Sequence, residues 1–228
     1  MKNALIGCSG FVGQTLLKQT QFDELYRSTN ISDIRNQSYG MIVCAGAPAA
    51  KWFANQHPEE DKAGIHQLID HLSTVTCQRF VLISTVDVYQ DSTAVVESTP
   101  VDPRALHPYG VHRFQLEEFV KKHFSHALII RLPGLVGPGL KKNVIYDFLH
   151  RHHLDAIDSR SIFQFYPMVN LWTDIQIALQ SGQPLVHLTS EPISVDEVAK
   201  EGFGFEFNQH ITHQPAAYDF RTELGWFL

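Results

Sequence analysis

No stretch of this sequence approaches the roughly 18 consecutive apolar residues of a membrane-crossing helix, and it contains neither internal repeats nor low-complexity tracts. Four apolar residues and one Lys precede the first glycine, a stretch that does not read as a secretory signal. Positive charge is not in excess either. Eighteen Lys and Arg against 24 Asp and Glu give a formal net charge of -6, so the chain lacks the electrostatic footprint of a nucleic-acid or anionic-membrane binder. Any anionic ligand would have to be held locally, by backbone amides and a few cations. Cysteine is scarce: Cys8, Cys44 and Cys77 are odd in number and lack metal-ligand spacing, which reads as reduced thiols in a cytoplasmic protein. His150, His152 and His153 have no acid or thiol at ligand spacing and read as helix-end histidines, so no metal is expected.

What is present is globular. Hydrophobic residues make up 44% and charged residues 18% of 228, enough for one sizeable core with a small appended lobe. The feature that organises the chain is Gly7-Cys8-Ser9-Gly10-Phe11-Val12-Gly13, between the apolar run Ala4 to Ile6 and a helical stretch from Gln14. Glycines at a strand-to-helix junction allow a tight turn, close approach to a pyrophosphate and helix packing on the sheet, while free amides at the helix start face the anion. The same glycines also suit a purely structural turn.

Downstream, Glu24 to Ser28 reads as a short second strand and Met41 to Cys44 as a strong one. The gap between the first helix and that strong strand is too short for a full helix, strand, helix and strand, so one crossover element is abbreviated or missing. The second strand ends in Arg27-Ser28-Thr29-Asn30 without an acid, which in a dinucleotide fold favours a 2′-phosphate and leans towards NADP over NAD. Arg27 could equally be a solvated surface residue. Ile42 to Cys44 runs into Ala45-Gly46, where a cofactor could pass close to the backbone. His57-Pro58-Glu59-Glu60 opens a helix to about Leu72 with Ile65, Leu68, Ile69 and Leu72 as its apolar stripe.

Phe80 to Ser84 is the most strand-like run, and Thr85 lies at its carboxyl end, where open parallel sheets bind ligands. After a proline-rich loop, a helix starting at Pro108 places Tyr109, Arg113 and Glu117 on one face and Phe114, Phe119 and Val120 on an apolar one. A cation four residues from a Tyr favours its phenolate, although the spacing alone also describes an ordinary helix surface.

These residues together resemble the extended short-chain dehydrogenase/reductase family, also called the NAD-dependent epimerase/dehydratase family. The resemblance is carried by Gly7, Gly10 and Gly13; Asp33-Ile34-Arg35-Asn36; Ser84-Thr85-x-x-Val88-Tyr89; Tyr109-x-x-x-Arg113; and the run Arg131 to Pro138. It implies a doubly wound Rossmann-type parallel sheet over residues 1–135, followed by a reduced substrate lobe over 136–228 with scope to return one strand to the sheet. It further implies that Gly7, Gly10, Phe11, Val12 and Gly13 hold the cofactor, with Arg27, Asp33, Ile34, Ala45, Gly46 and Pro133 along it. Thr85 and Tyr109 would act on the substrate oxygen as hydride passes to or from the nicotinamide, with Arg113 beside both cofactor and Tyr109.

Three departures stand out. Arg113 replaces the family's Lys, Gly134 replaces an Asn on the way to the substrate lobe, and Asp61 stands where an Asn is expected. The pair after Thr85 is Val86-Asp87, with one carboxylate where dehydratases of the family have two, so dehydration is disfavoured and Asp87 becomes a substrate contact. The resemblance also suggests Asn143 as a contact in a diphosphate-sugar pocket, and the aromatic run Ser161 to Pro167 could either line that pocket through Gln164 or pack in the core. The expectation is an NAD(P)-dependent oxidoreductase or epimerase acting on a nucleotide sugar, with a homodimer as one option for its assembly. The rival reading is a catalytically weak dinucleotide-binding sensor.

Overall fold

The computed structural model describes residues 1–225. Its core is one parallel sheet. Strands β1 (Asn3–Ile6), β2 (Glu24–Tyr26), β3 (Ser38–Cys44), β4 (Thr76–Thr85), β5 (Ala127–Leu132), β6 (Gly134–Val136), β7 (Ile162–Phe163), β8 (Phe165–Pro167), β9 (Leu185–His187) and β10 (Ile193–Ser194) follow in chain order. Six of them form the sheet, in the order β2-β1-β3-β4-β5-β9, with every pair parallel. Parallel strands need crossovers, and these place helices on both faces. Helices α1 (Phe11–Gln19), α2 (Lys51–Gln56), α3 (Pro58–Leu72), α4 (Pro108–His123), α5 (Val144–His150), α6 (Leu171–Ser181) and the single turn α7 (Val195–Glu197) complete the chain. No helix among the described residues is long and apolar enough to cross a membrane.

The central strands are buried on both sides, which explains their continuous Val, Ile and Leu runs. One core layer joins Ile6, Ile42, Phe80 and Ile129 to Ile65, Leu68 and Leu72 of α3 and Leu116 and Val120 of α4. The other joins Leu5, Val43, Val81 and Ile130 to Leu16 of α1 and Leu171, Ile175 and Ala178 of α6. Leu185 to His187 thus returns to the sheet beside β5, and α6 packs beside α1.

The missing crossover lies between β2 and β3, where only a 3-10 turn, Ile31–Ile34, stands in place of a strand and helix. Ile34 is fully buried in the core there, whereas Asp33 is exposed. Of the two residues expected to border the adenine, only Asp33 faces solvent.

Helix α4 buries Val120 of the apolar face assigned from its sequence and, beside it, a polar face. Tyr109, His112, Arg113, Leu116, Glu117 and Val120 point inward, while Phe114 and Phe119 are half-buried. Its inward face is polar because it carries two buried ion pairs, and apolar periodicity alone cannot register such a face. Glu117 pairs with Arg131 of β5 at 2.6 Å, and Ser84 and Tyr89 complete that network.

Beyond β5, the parallel pair β6 and β8 and the antiparallel pair β7 and β10 build a small lobe. Residues 216–224 then cross back as a strap, making isolated bridges from Ala217 to Ile162 and from Phe220 to Val95. Phe220 is fully buried, stacked 4.1 Å from His187.

Candidate functional site

Register brings the chemistry to one edge of the sheet. Ile6, Cys44 and Leu82 lie level across β1, β3 and β4, so Thr85, three residues further on, stands roughly 10 Å beyond them. Gly7, Ala45 and Pro133 continue from the ends of β1, β3 and β5 at the same edge.

The glycine loop is closed by its backbone. The Gly7 and Cys8 amides both donate to the Tyr26 carbonyl, at 2.8 and 3.1 Å, and the Gly10 amide donates to the Gly7 carbonyl at 3.0 Å. Gly7 has φ +83°, and a Cβ on it would lie 2.2 Å from the Ala45 carbonyl oxygen. A Cβ on Gly13 would lie 2.2 Å from the Gly7 carbonyl oxygen. Helix α1 starts at Gly10 without a side-chain cap, leaving the amides of Phe11, Val12 and Gly13 at its amino end. The Phe11 ring packs beside Gly139, so the turn after β6 lies against the loop.

Tyr109 is 8% exposed, with the Thr85 hydroxyl facing its phenol. Burial pushes that phenol above its ordinary pKa; Arg113 opposes the shift and the Asp87 carboxylate adds to it. The Arg113 guanidinium lies over the Tyr109 ring, 4.0 Å from its centroid. Its position is set by two bonds, from Nη1 to the Asp61 carboxylate and from Nη2 to the Pro48 carbonyl, while Nε has no partner among the described residues. The same Asp61 oxygen lies 2.7 Å from His112 Nδ1. Burial pushes the Asp61 carboxyl up, and the bonds from Arg113 and His112 outweigh it, holding it below the usual range. Two of the three departures from the family pattern, Arg113 and Asp61, are therefore partners in one buried ion pair.

At Asp87 lies a cavity of about 560 Å³ whose walls include Lys51, Asp87, Ser92, His107, Ala216 and Tyr218. Lys51 Nζ is 2.7 Å from Asp87 Oδ1, and the Tyr218 hydroxyl is 3.4 Å from the same oxygen. The Thr85 hydroxyl donates to Asp87 Oδ2 at 3.4 Å and accepts the Asp87 amide at 3.2 Å. Sequence reasoning missed Lys51, His107 and Tyr218. Tyr218 arrives on the strap, over 100 residues from Thr85, and no local pattern signals it; Lys51 begins α2 soon after Ala45-Gly46, which is a usable clue.

Arg27 is exposed at the carboxyl end of β2, and Asp33 lines a separate cavity of about 380 Å³ beside that strand. Two expected substrate contacts are placed otherwise. Asn143 caps α5, accepting from the Ile145 and Tyr146 amides and donating to the Leu135 carbonyl at 2.8 Å. Gln164 is 2% exposed, and its amide pairs with both the carbonyl and the amide of Phe220, each at 2.7 Å. Asn143 is spent on backbone groups, and Gln164 on the Phe220 backbone and the Thr189 hydroxyl; Gln164 thus anchors the strap that carries Tyr218.

The family model for the NAD dependent epimerase/dehydratase family matches residues 24–164. Comparison with curated proteins finds no match. Among solved structures, a dTDP-4-dehydrorhamnose reductase from Clostridium acetobutylicum is similar with a TM-score of 0.72 at 16% identity, over 97% of this chain and 90% of its own. UDP-glucose 4-epimerase from Thermotoga maritima, with UDP-glucose, gives 0.65 at 14%, over 97% and 86%. The Bordetella bronchiseptica enzyme WbmG in complex with NAD gives 0.74 at 17%, over 96% and 85%. At such identities the likeness is one of fold.

Proposed function

The chain belongs to the NAD-dependent epimerase/dehydratase family, and on that premise we propose that it binds a nicotinamide dinucleotide and acts on a carbonyl or alcohol carbon of a nucleotide sugar. The observation that carries this reading is the meeting, at one sheet edge, of an uncapped glycine-loop helix with the Thr85 and Tyr109 hydroxyls. The loop fits a diphosphate: its close backbone packing leaves no room for side chains at Gly7 and Gly13, and the first amides of α1 suit an anion. Ala45, Gly46 and Pro133 would flank the rest of the dinucleotide. Arg27 supports a preference for a 2′-phosphate, hence NADP.

When bound, the dinucleotide supplies hydride exchange at the reacting carbon. In the reducing direction, the Thr85 hydroxyl orients the carbonyl oxygen and the Tyr109 phenol gives it a proton. Burial raises the phenol's pKa and so opposes proton release, while the Arg113 charge over the ring works in the favourable direction. Arg113 would stabilise the phenolate left behind through its charge over the ring. Asp87, with Lys51 and Tyr218, would hold sugar hydroxyls in the cavity.

The pinned guanidinium of Arg113 also favours a second reading, a dinucleotide-binding protein without turnover. Calorimetric titration with NAD and NADP, followed by a panel of dTDP- and UDP-sugars on wild type and Tyr109→Phe, separates the two. Cofactor binding by both proteins with turnover by wild type alone is the expected result. Binding without turnover on any sugar favours the sensor, and failure to bind either dinucleotide overturns both.

A further inference from the structure

We propose that His107 is a specificity residue for the sugar: one imidazole nitrogen holds the start of α4, and the other is a fixed Nε2–H donor to a sugar hydroxyl in the cavity at Asp87. The proposal rests on the reading that this cavity takes the sugar of a nucleotide sugar. A helix cap is usually Ser, Thr, Asp or Asn, and any of these would serve the start of α4 as well. The imidazole adds a second nitrogen.

The first turn of α4 is fully bonded. Pro108 has no amide hydrogen; the Tyr109 amide donates to Asn55 Oδ1 at 3.1 Å, the Gly110 amide to His107 Nδ1 at 3.0 Å, and the Val111 amide to the His107 carbonyl at 3.1 Å. The same turn is pressed against the backbone of Asp87, since a Cβ on Gly110 would lie 2.3 Å from the Asp87 carbonyl oxygen. His107 is thereby fixed in the cavity wall with Lys51, Asp87 and Tyr218.

Because Nδ1 accepts from Gly110 it carries no hydrogen, and a neutral imidazole then keeps its one proton on Nε2. Nε2 has no partner among the described residues, and it is open to solvent: the sealed, unpartnered side-chain atom there is Arg113 Nε. A second proton would break the cap and place a positive charge at the positive end of a helix of 16 residues. Burial pushes the ring's pKa down, and the Lys51 and Arg113 charges add to that against an opposite pull from Asp87. The Tyr109 ring, 6.2 Å away, also faces it. His107 is therefore a donor at neutral pH, and neither an acid nor a base.

The carboxylate of the cavity is already engaged. Asp87 Oδ1 takes the Lys51 ammonium at 2.7 Å, and Oδ2 takes the Thr85 hydroxyl at 3.4 Å. The Nε2–H group is left to meet an oxygen from the ligand, so it selects a sugar with a hydroxyl at that place over the deoxy analogue, which would leave the donor unpaired.

The test separates the two nitrogens. His107→Asn and His107→Ser keep an oxygen that can cap α4 and remove the cavity donor, whereas His107→Ala removes both. Nitrogen NMR of the histidine-labelled protein at pH 7, with His107 assigned by its loss in the Asn variant, should show the Nε2–H tautomer. UDP-glucose or dTDP-glucose, added with the dinucleotide, should shift the Nε2 signal. Asn and Ser variants should keep the wild-type Tm and bind that nucleotide sugar about three- to tenfold more weakly in calorimetry. With turnover, KM should rise by the same factor and kcat stay within twofold, the pattern of a lost binding contact. One deoxy analogue of the sugar should bind wild type more weakly than the parent does and show no such loss with His107→Asn. An Nδ1–H tautomer, or unchanged sugar affinity in a folded Asn or Ser variant, overturns the role of His107. If neither variant folds, an Nε2 signal unmoved at saturating nucleotide sugar overturns it. Failure of wild type to bind either nucleotide sugar overturns the reading of the cavity itself, and the role of His107 falls with it.

Discussion

Removing the charge of Asp61 alone should harm this protein more than removing both charges of its ion pair. Asp61 and Arg113 have side chains 2% and 3% exposed, and His112 shares the same carboxylate oxygen. Taking one partner from a buried pair leaves the other charge uncompensated, which typically costs about 3–5 kcal/mol. Asp61→Asn keeps the shape and a hydrogen-bond acceptor but strands the guanidinium, so a loss of about 3–5 kcal/mol in unfolding free energy is expected. Arg113→Met should cost less, about 2–3 kcal/mol, because the Asp61 carboxylate keeps its hydrogen bond with His112 Nδ1. In the double variant neither charge remains and Pro48, exposed, can bond water, leaving about 1–2 kcal/mol of lost packing. Urea unfolding at pH 7, followed by circular dichroism, gives all three values. The coupling should also shrink in acid: the Asp61 pKa is depressed, so its stabilisation is present above the ordinary carboxylate range and is lost as pH falls through the folded value. A double variant whose loss equals the sum of the singles would refute the account, since it would mean the charges do not depend on each other.

Gly13→Ala should abolish dinucleotide binding in calorimetry, because the added Cβ would lie 2.2 Å from the Gly7 carbonyl oxygen and only a displaced loop could accept it; wild-type affinity in this variant would count against the loop as the site. Gln164→Leu should loosen the strap by orphaning the Phe220 amide, while the Phe220 carbonyl keeps the Thr189 hydroxyl at 2.9 Å, a loss of about 1–3 kcal/mol; limited proteolysis should then cut near residues 216–224 first, and an unchanged digestion pattern would disprove the anchoring role. His187 is fully buried, and burial pushes its pKa down to about 4. Its folded value lies below the unfolded one, so the neutral ring's contribution is complete above about pH 6.5 and is lost as pH falls towards the folded value. The ring is 2.7 Å from the Arg221 carbonyl through Nδ1, so a His187→Asn variant should show a flatter stability profile over that window.

Much of the scaffold follows from local pattern. The continuous apolar runs ending at Cys44 and Ser84 can satisfy themselves only inside a covered parallel sheet, and Pro58 and Pro108 mark where helices begin. The short spacing between α1 and β3 likewise leaves no room for a full crossover. The inward face of α4 escapes this kind of reading, because Tyr109, Arg113 and Glu117 look like solvated surface until Asp61 and Arg131 are placed opposite them. The same holds for Asn143 and Gln164, polar residues near an expected pocket whose hydrogen bonds go to backbone.

Residue chemistry along the chain is therefore sufficient for the family and for a glycine turn between β1 and α1, since each depends on short spacings and the geometry of one strand end. The partners of those residues come from folding. Arg113 and Asp61 appear as separate anomalies along the chain and become one ion pair when α3 and α4 pack together. Tyr218 joins Lys51 and Asp87 because the strap crosses the site. Charge pairing over such distances leaves no periodic trace, because it depends on which faces the core turns towards each other.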